Sequence, residues 1–172
     1  MPAPTRRRAA APACAALAVA IAFAAAAVPA TPAMASPFGT LFAGTPPATL
    51  GAPGGRLAPC PDRPNCVSSQ AAPGPQAIAP LTFQGEPAAA MSALAAAIAT
   101  LPGATIVTVR ADYVHAEFAS AVMGFVDDGE FALDAGAKAI HVRSAARLGH
   151  SDFDVNRKRI ETLRAAFAAR NP

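Results

Sequence analysis

The chain has 172 residues, of which 53% are hydrophobic and 15% charged, with 18 prolines, one tyrosine and no tryptophan. Three of its 14 basic residues, Arg6, Arg7 and Arg8, lie near the N-terminus, and without them bases and acids number 11 each. This balance and the scarcity of aromatic rings argue against a nucleic-acid partner.

Residues 1–35 are predicted to be a signal peptide. Three arginines precede an unbroken apolar stretch from Ala13 to Val28, and Ala33-Met34-Ala35 forms a small-x-small cleavage site. The alternative is an uncleaved anchor, although the stretch is shorter than the roughly 20 residues of a typical membrane span. We expect an exported, periplasmic protein, which would be membrane-tethered if the signal is kept.

The Pro/Gly-rich residues 36–56 are predicted to be a flexible leader with nothing to bury. A single domain is expected over residues 57–172. Cys14 leaves with the signal, so the mature chain retains Cys60 and Cys66, an even pair that favours a disulfide in an exported protein. A zinc site would need two more ligands from distant histidines, and we predict neither a metal nor a cofactor.

A helix is predicted to begin near Pro87 and to stop at Pro102-Gly103, because Met91, Leu94 and Ile98 repeat at helical spacing. Four strands are expected next, because apolar and polar side chains alternate in each of four short segments. These strands cover residues 106–110, 113–119, 125–134 and 138–144.

The last helix is predicted over residues 152–169, where Ser151 or Asp152 can cap it. Its apolar stripe would consist of Phe153, Asn156, Ile160, Leu163 and Phe167. Together these elements indicate an α+β fold, a two-layer sandwich in which two helices cover one face of a four-stranded antiparallel sheet.

The other face of the sheet is expected to be solvated, with cross-strand charge pairs. Alternation places on it Tyr113, His115, Glu117, Asp128, Glu130, His141 and Arg143. Two histidines among carboxylates leave a metal site or an acid–base pair as the alternative.

Two polar residues are expected at buried positions. Asn156 interrupts the apolar helix stripe, so we expect it to clamp the backbone of the preceding loop, residues 144–151. Asp127 shares the face of Phe125 and Phe131, so we expect a structural ion pair with Arg147 or Arg143.

Three blocks of sequence resemble the family called domain of unknown function 1499. They are Pro59-Cys60-Pro61-x-x-Pro64-Asn65-Cys66-Val67-Ser68-Ser69, then Phe125-Val126-Asp127-Asp128, then Arg143-Ser144-x-x-Arg147-x-Gly149-x-Ser151-Asp152-x-x-x-Asn156-Arg157-x-Arg159. The resemblance covers about residues 57–168 and implies a bacterial or plastid protein, often exported or membrane-linked, without assigned catalytic residues. Ala146 stands where that family tends to have serine, and Asp154 where it tends to have glycine.

The polar run from residue 143 to 160 is the main candidate site. Its proposed ligand-binding residues are Arg143, Arg147, His150, Asp152, Arg157 and Arg159. A cationic cluster before a helix N-terminus favours an anionic group, so we expect a non-catalytic envelope module that recognises an anionic ligand, an anionic lipid surface or an envelope protein.

Two other functions remain open. An envelope hydrolase would use Asp127 or Asp152 together with His150, in a cleft where these groups converge. A structural partner of a membrane protein would present an exposed apolar patch.

Overall fold

The computed structural model describes residues 41–170. The predicted signal peptide lies outside the described residues, so its cleavage stays a prediction. Within residues 41–170, no helix is long and apolar enough to cross a membrane.

The fold is α+β, as predicted, with two helices and an antiparallel sheet. In chain order the elements are β1 (Cys66–Ser68), β2 (Leu81–Thr82), α1 (Pro87–Ile98), β3 (Ala104–Val109), β4 (Tyr113–Ala119), β5 (Val126–Asp134), β6 (Ala139–Ala146) and α2 (Val155–Ala168). A short 3-10 turn, Pro53–Gly55, precedes them. The sheet runs β1-β6-β5-β4-β3, and β2 also pairs with β6.

The sheet has six strands, so the prediction of four was wrong. The two additional strands come from the Pro-rich segment before α1 and have only three and two residues, too few to show an alternating pattern. Both pair with β6, β1 through residues 143–145 and β2 through residues 139–140. They fasten the N-terminal part of the domain to one edge of the sheet.

The hydrophobic core lies between the two helices and one face of the sheet. Leu94 and Ile98 of α1 and Ile160 and Leu163 of α2 are fully buried against strand residues such as Phe131. These side chains occupy the positions that the helical and strand periodicities indicate, which is why the two-layer arrangement could be predicted.

The opposite face of the sheet is covered by the leader segment, residues 41–57. Gly51 donates its backbone N–H to Glu130 Oε1 at 2.8 Å, and Leu57 packs with Tyr113 and Ala132 in a small buried cluster. The expectation of a solvated face is therefore wrong, because Tyr113, His115, Asp128, Glu130 and Arg143 are buried. The described part of the predicted leader, residues 41–56, has no buried residue of its own but lies against this face. Much of the covering is done by backbone, which hydropathy does not reveal.

The disulfide between Cys60 and Cys66 is formed, as predicted, with the two Cα atoms 5.7 Å apart. It closes the loop that leads into β1, and Asn65 and Cys66 are both buried there. The disulfide thus fixes the segment beside the end of β6.

Candidate functional site

A pocket of about 390 Å³ lies at the end of the sheet where β4 and β6 finish and β5 begins. We call this end the pocket end. The β4–β5 loop and the β6–α2 loop flank the pocket. It is lined by Ser120, Phe125, Asp127, Ala146, Leu148, Gly149, Ser151, Asp152, Phe153, Val155 and Arg159. Its volume falls within the roughly 300–1,000 Å³ of small-ligand sites.

The rim of the pocket consists of four apolar side chains that face solvent. Phe125, Leu148 and Val155 are 40%, 43% and 45% exposed, and Phe153 is 84% exposed. Single exposed apolar residues are ordinary, whereas several around one cavity indicate a binding surface.

The predicted burial of Phe153 on the last helix was wrong. The helix begins at Val155, and both Phe153 and Asp154 adopt left-handed backbone angles, with φ of 53° and 64°. This conformation is unfavourable for residues other than glycine, and it turns the Phe153 ring outward. The presence of Asp154 where the resembled family tends to have glycine was a signal for this turn.

The floor of the pocket is an ion pair between Asp127 and Arg159. Arg159 Nη2 donates to Asp127 Oδ2 at 2.6 Å, and the two side chains are 13% and 11% exposed. Asp127 has the ion pair that was expected, but its partner is Arg159 rather than Arg147 or Arg143. Its second oxygen, Oδ1, accepts no hydrogen bond from any residue between 41 and 170.

Arg159 is held in place from the core. Its guanidinium carbon lies 4.6 Å from the centre of the Phe118 ring, a cation–π contact. The Phe118 ring in turn lies over Gly129, where an added Cβ would be 2.5 Å from Phe118 Cε2. The missing side chain of Gly129 therefore makes room for the ring on which Arg159 stacks.

The pKa of Asp127 is raised above its ordinary value. Burial is the main cause, and the charges of Asp152 and Asp128 add to it, while Arg159 acts in the opposite direction without compensating fully. The ionised form of Asp127 is therefore less favourable at the pocket floor than it would be in water.

Asn156 joins the loop, the sheet and the last helix. It is fully buried, and its Oδ1 accepts from the Ser144 hydroxyl and from Arg159 Nη1. Its Nδ2 donates to Asp152 Oδ2 at 2.8 Å and to the carbonyl of Asn65 at 3.4 Å. The clamp thus acts mainly through side chains, and not on the backbone of residues 144–151 as expected.

The N-cap of the last helix is Asp154, not Ser151 or Asp152 as predicted, but the Asp152 carboxylate still accepts from an amide of the first helical turn. Its Oδ2 accepts from the backbone N–H of Asn156 at 2.9 Å, and its Oδ1 accepts from that of Asp154 at 3.2 Å. A carboxylate at this position satisfies amides that the helix leaves unpaired. Asp152 also lines the pocket, so two carboxylates and one guanidinium surround its base.

The arginines that were expected to meet an anion make internal ion pairs on the other face. Arg143 donates to Glu130 at 3.0 Å, and Arg147 donates to Asp128 and Glu117. The guanidinium side chains of Arg143 and Arg147 are only 6% and 4% exposed. Neither lines the pocket between the two loops.

The pKa values on that face reflect strong pairing. Burial tends to raise the pKa of Asp128, but hydrogen bonds from Arg147 and His115 lower it overall. The hydrogen bond to Asp128 raises the pKa of Arg147. Burial and the neighbouring Glu130 raise the pKa of Tyr113, whose hydroxyl donates to Glu130 at 2.8 Å. Most ionic groups on this face are paired with one another, but Arg143 Nε has no hydrogen-bond partner among the described residues. Arg143 and Arg147 also line a separate cavity of about 490 Å³ on this face.

The remaining candidates lie apart from the pocket. His150 is exposed and lines a groove formed with residues 62–64 and 71–76, whereas Asp127 and Asp152 line the pocket, so the histidine and the carboxylates of the hydrolase hypothesis do not line one cavity. Arg157 donates to the carbonyls of Pro75 and Ala77, fastening the last helix to that segment. In the described part of the chain, no three His, Cys, Asp or Glu side chains are arranged to hold a metal.

The described residues thus form an α+β domain with a small apolar pocket, and the floor of this pocket is the Asp127–Arg159 ion pair. The family described as "Protein of unknown function (DUF1499)" matches residues 56–167, and the chain belongs to this family. No curated protein and no solved structure matches the chain.

Proposed function

We propose that this protein is an exported, non-catalytic binding module of the bacterial envelope, and that the pocket between the β4–β5 and β6–α2 loops binds its ligand. The main observation in support of this proposal is the combination of four exposed apolar rim residues with polar groups at the base of the pocket. Binding sites typically combine such an apolar lining with a few placed polar groups.

The disulfide supports the proposed location, because such bonds persist in oxidising compartments. His150 does not line the pocket that contains Asp127 and Asp152, which favours binding over hydrolysis there. The internal pairing of Arg143 and Arg147 favours a ligand with an apolar part over one recognised by its negative charge alone.

Titration with the neutral apolar dye Nile red tests this proposal. We expect saturable fluorescence enhancement at one site and about tenfold weaker binding by the Phe153→Ala variant, because the ring would be buried by the ligand. Val109→Ala is the control, since Val109 is 62% exposed on β3, near the opposite end of the sheet. Non-saturable binding, or equal affinity of both variants, would contradict the proposal.

A further inference from the structure

We infer that the pocket recognises an alkylammonium group, a positively charged nitrogen attached to an apolar chain. This inference rests on the proposed function, since it names the ligand class for the same pocket. It departs from the anionic ligand that the sequence suggested.

The charge at the base of the pocket is the first argument. Asp127 and Asp152 face one cation, Arg159, so the lining residues carry a net charge of −1. Asp152 already accepts hydrogen bonds from Asn156 and Asp154, whereas among residues 41–170 Asp127 accepts a hydrogen bond only through Oδ2. A ligand N⁺–H would supply the donor that Asp127 Oδ1 lacks.

The burial of Asp127 at the wall of an open pocket is the second argument. Asp127 is 8% exposed as a residue and 11% exposed as a side chain, and it lines the pocket. Arg159 offsets only part of the cost of burying this carboxylate, because the pKa of Asp127 stays raised. A bound cation would reduce that cost, and an anion would increase it.

The rim gives the third argument. Phe125 and Phe153 are aromatic, and the faces of aromatic rings attract alkylammonium groups. Leu148 and Val155 complete an apolar wall suited to a hydrocarbon chain. The pocket therefore combines a negative base with an apolar and aromatic entrance.

Three probes with the same hydrocarbon chain separate charge from hydrophobicity: octylammonium, octanol and octanoate. Calorimetric titration of the exported protein, with its own N-terminus, should show octylammonium binding about tenfold more tightly than octanol, because of the charge-assisted hydrogen bond. Octanoate should bind most weakly. Equal affinities, or tightest binding of octanoate, would overturn the inference and leave the proposed function intact; no binding by any probe would overturn both.

Asp127→Asn keeps the side-chain shape and removes the charge, so it should abolish the preference for octylammonium over octanol. Asp112→Asn changes the net charge equally and should preserve that preference, because the exposed Asp112 lies in the β3–β4 turn at the opposite end of the sheet. A preference that survives Asp127→Asn would overturn the inference.

The unmodified protein offers a second readout that needs no variant. The preference for octylammonium should fall toward unity as the pH drops through the raised pKa of Asp127, whose charged neighbours are Arg159, Asp152 and Asp128. Octylammonium itself stays charged, as lysine does in this range. A preference independent of pH would contradict the inference.

The ammonium group could belong to a soluble amine or to a lipid head group. Phosphatidylglycerol vesicles with and without phosphatidylethanolamine distinguish these sources. If the protein binds vesicles only when they contain phosphatidylethanolamine, the ammonium group belongs to a lipid. If it binds octylammonium but neither type of vesicle, the ammonium group belongs to a soluble amine. Either result supports an alkylammonium ligand.

Discussion

Asp127 and Asp128 are neighbours in β5, yet they lie on opposite faces of the sheet and behave in opposite ways. Asp128 accepts two hydrogen bonds from Arg147 at 2.8 Å and lies 2.8 Å from His115 Nε2, and its pKa is lowered. Asp127 has one arginine partner and a raised pKa. Burial raises the pKa of both carboxylates, and their neighbours decide the outcome: the hydrogen bonds and charges of Arg147 and His115 outweigh burial at Asp128, whereas Arg159 does not outweigh it at Asp127.

The two regions differ also in access. The leader segment covers the network around Asp128, where the ionic groups pair with one another. The pocket around Asp127 is open between two loops and edged by exposed apolar side chains. Within residues 41–170, the covered face therefore holds paired ionic groups, and the pocket end is open.

The largest expected effect comes from Asp128→Ala. The change leaves the buried Arg147 with only Glu117, so we expect a loss of about 3 kcal/mol in the free energy of unfolding. Urea unfolding measures it. The control Asp112→Ala removes an exposed pair with Arg110 and should cost less than about 1 kcal/mol. Equal costs would show that the covered network does not stabilise the fold.

A smaller effect tests whether the leader segment is docked. Gly44 has φ of 67°, and an added Cβ would lie 3.0 Å from Arg147 Cβ, so Gly44→Ala should cost about 2 kcal/mol through strain and contact. Gly54 has a similar φ of 60° with nothing nearby, so Gly54→Ala should cost only the strain, about 1 kcal/mol. Chemical unfolding of both variants gives the difference, which would vanish for an undocked leader.

The smallest effect is expected for Asp127→Asn, within about 1 kcal/mol of the parent at neutral pH. The raised pKa of Asp127 means that the fold disfavours its ionised form, and the amide oxygen of asparagine can still accept the hydrogen bond from Arg159 Nη2. The raised pKa means that ionised Asp127 costs stability above that pKa, and that this cost disappears as the pH falls below the unfolded value of about 3.9. The free energy of unfolding of the variant, relative to that of the parent, should therefore be higher at pH 7 than at about pH 3. Unfolding experiments across pH measure this difference. The opposite trend would contradict the raised pKa.

Much of the fold could be predicted because periodicity reports which face is buried. The spacing of Leu94 and Ile98 indicated the first helix, and the alternation along residues 113–119 indicated a strand that has the same bounds in the structure. The final helix was predicted three residues too early, because Phe153 fits the stripe in spacing but turns outward on a left-handed backbone.

The candidate site could be predicted only in part. The polar run did contain Asp152 and Arg159, which line the pocket, but the apolar rim residues Phe125 and Leu148 carried no pattern that marks exposure. The sequence also did not indicate that the leader segment covers the polar face of the sheet, because this contact involves backbone groups such as the amide of Gly51. Pairing of arginines with particular carboxylates follows from three-dimensional register rather than from spacing along the chain.

Gly129 has a consequence for how the site can vary. It does not line the pocket, yet it supports the Phe118 ring against which Arg159 lies. Any side chain at position 129 would displace this ring and with it Arg159, the cation that lines the pocket base within residues 41–170. The volume of this core position therefore affects the electrostatic potential felt by a ligand. The binding preference of the domain is thus coupled to its interior packing, and a mutation hidden in the core could retune specificity without altering any residue that a ligand touches.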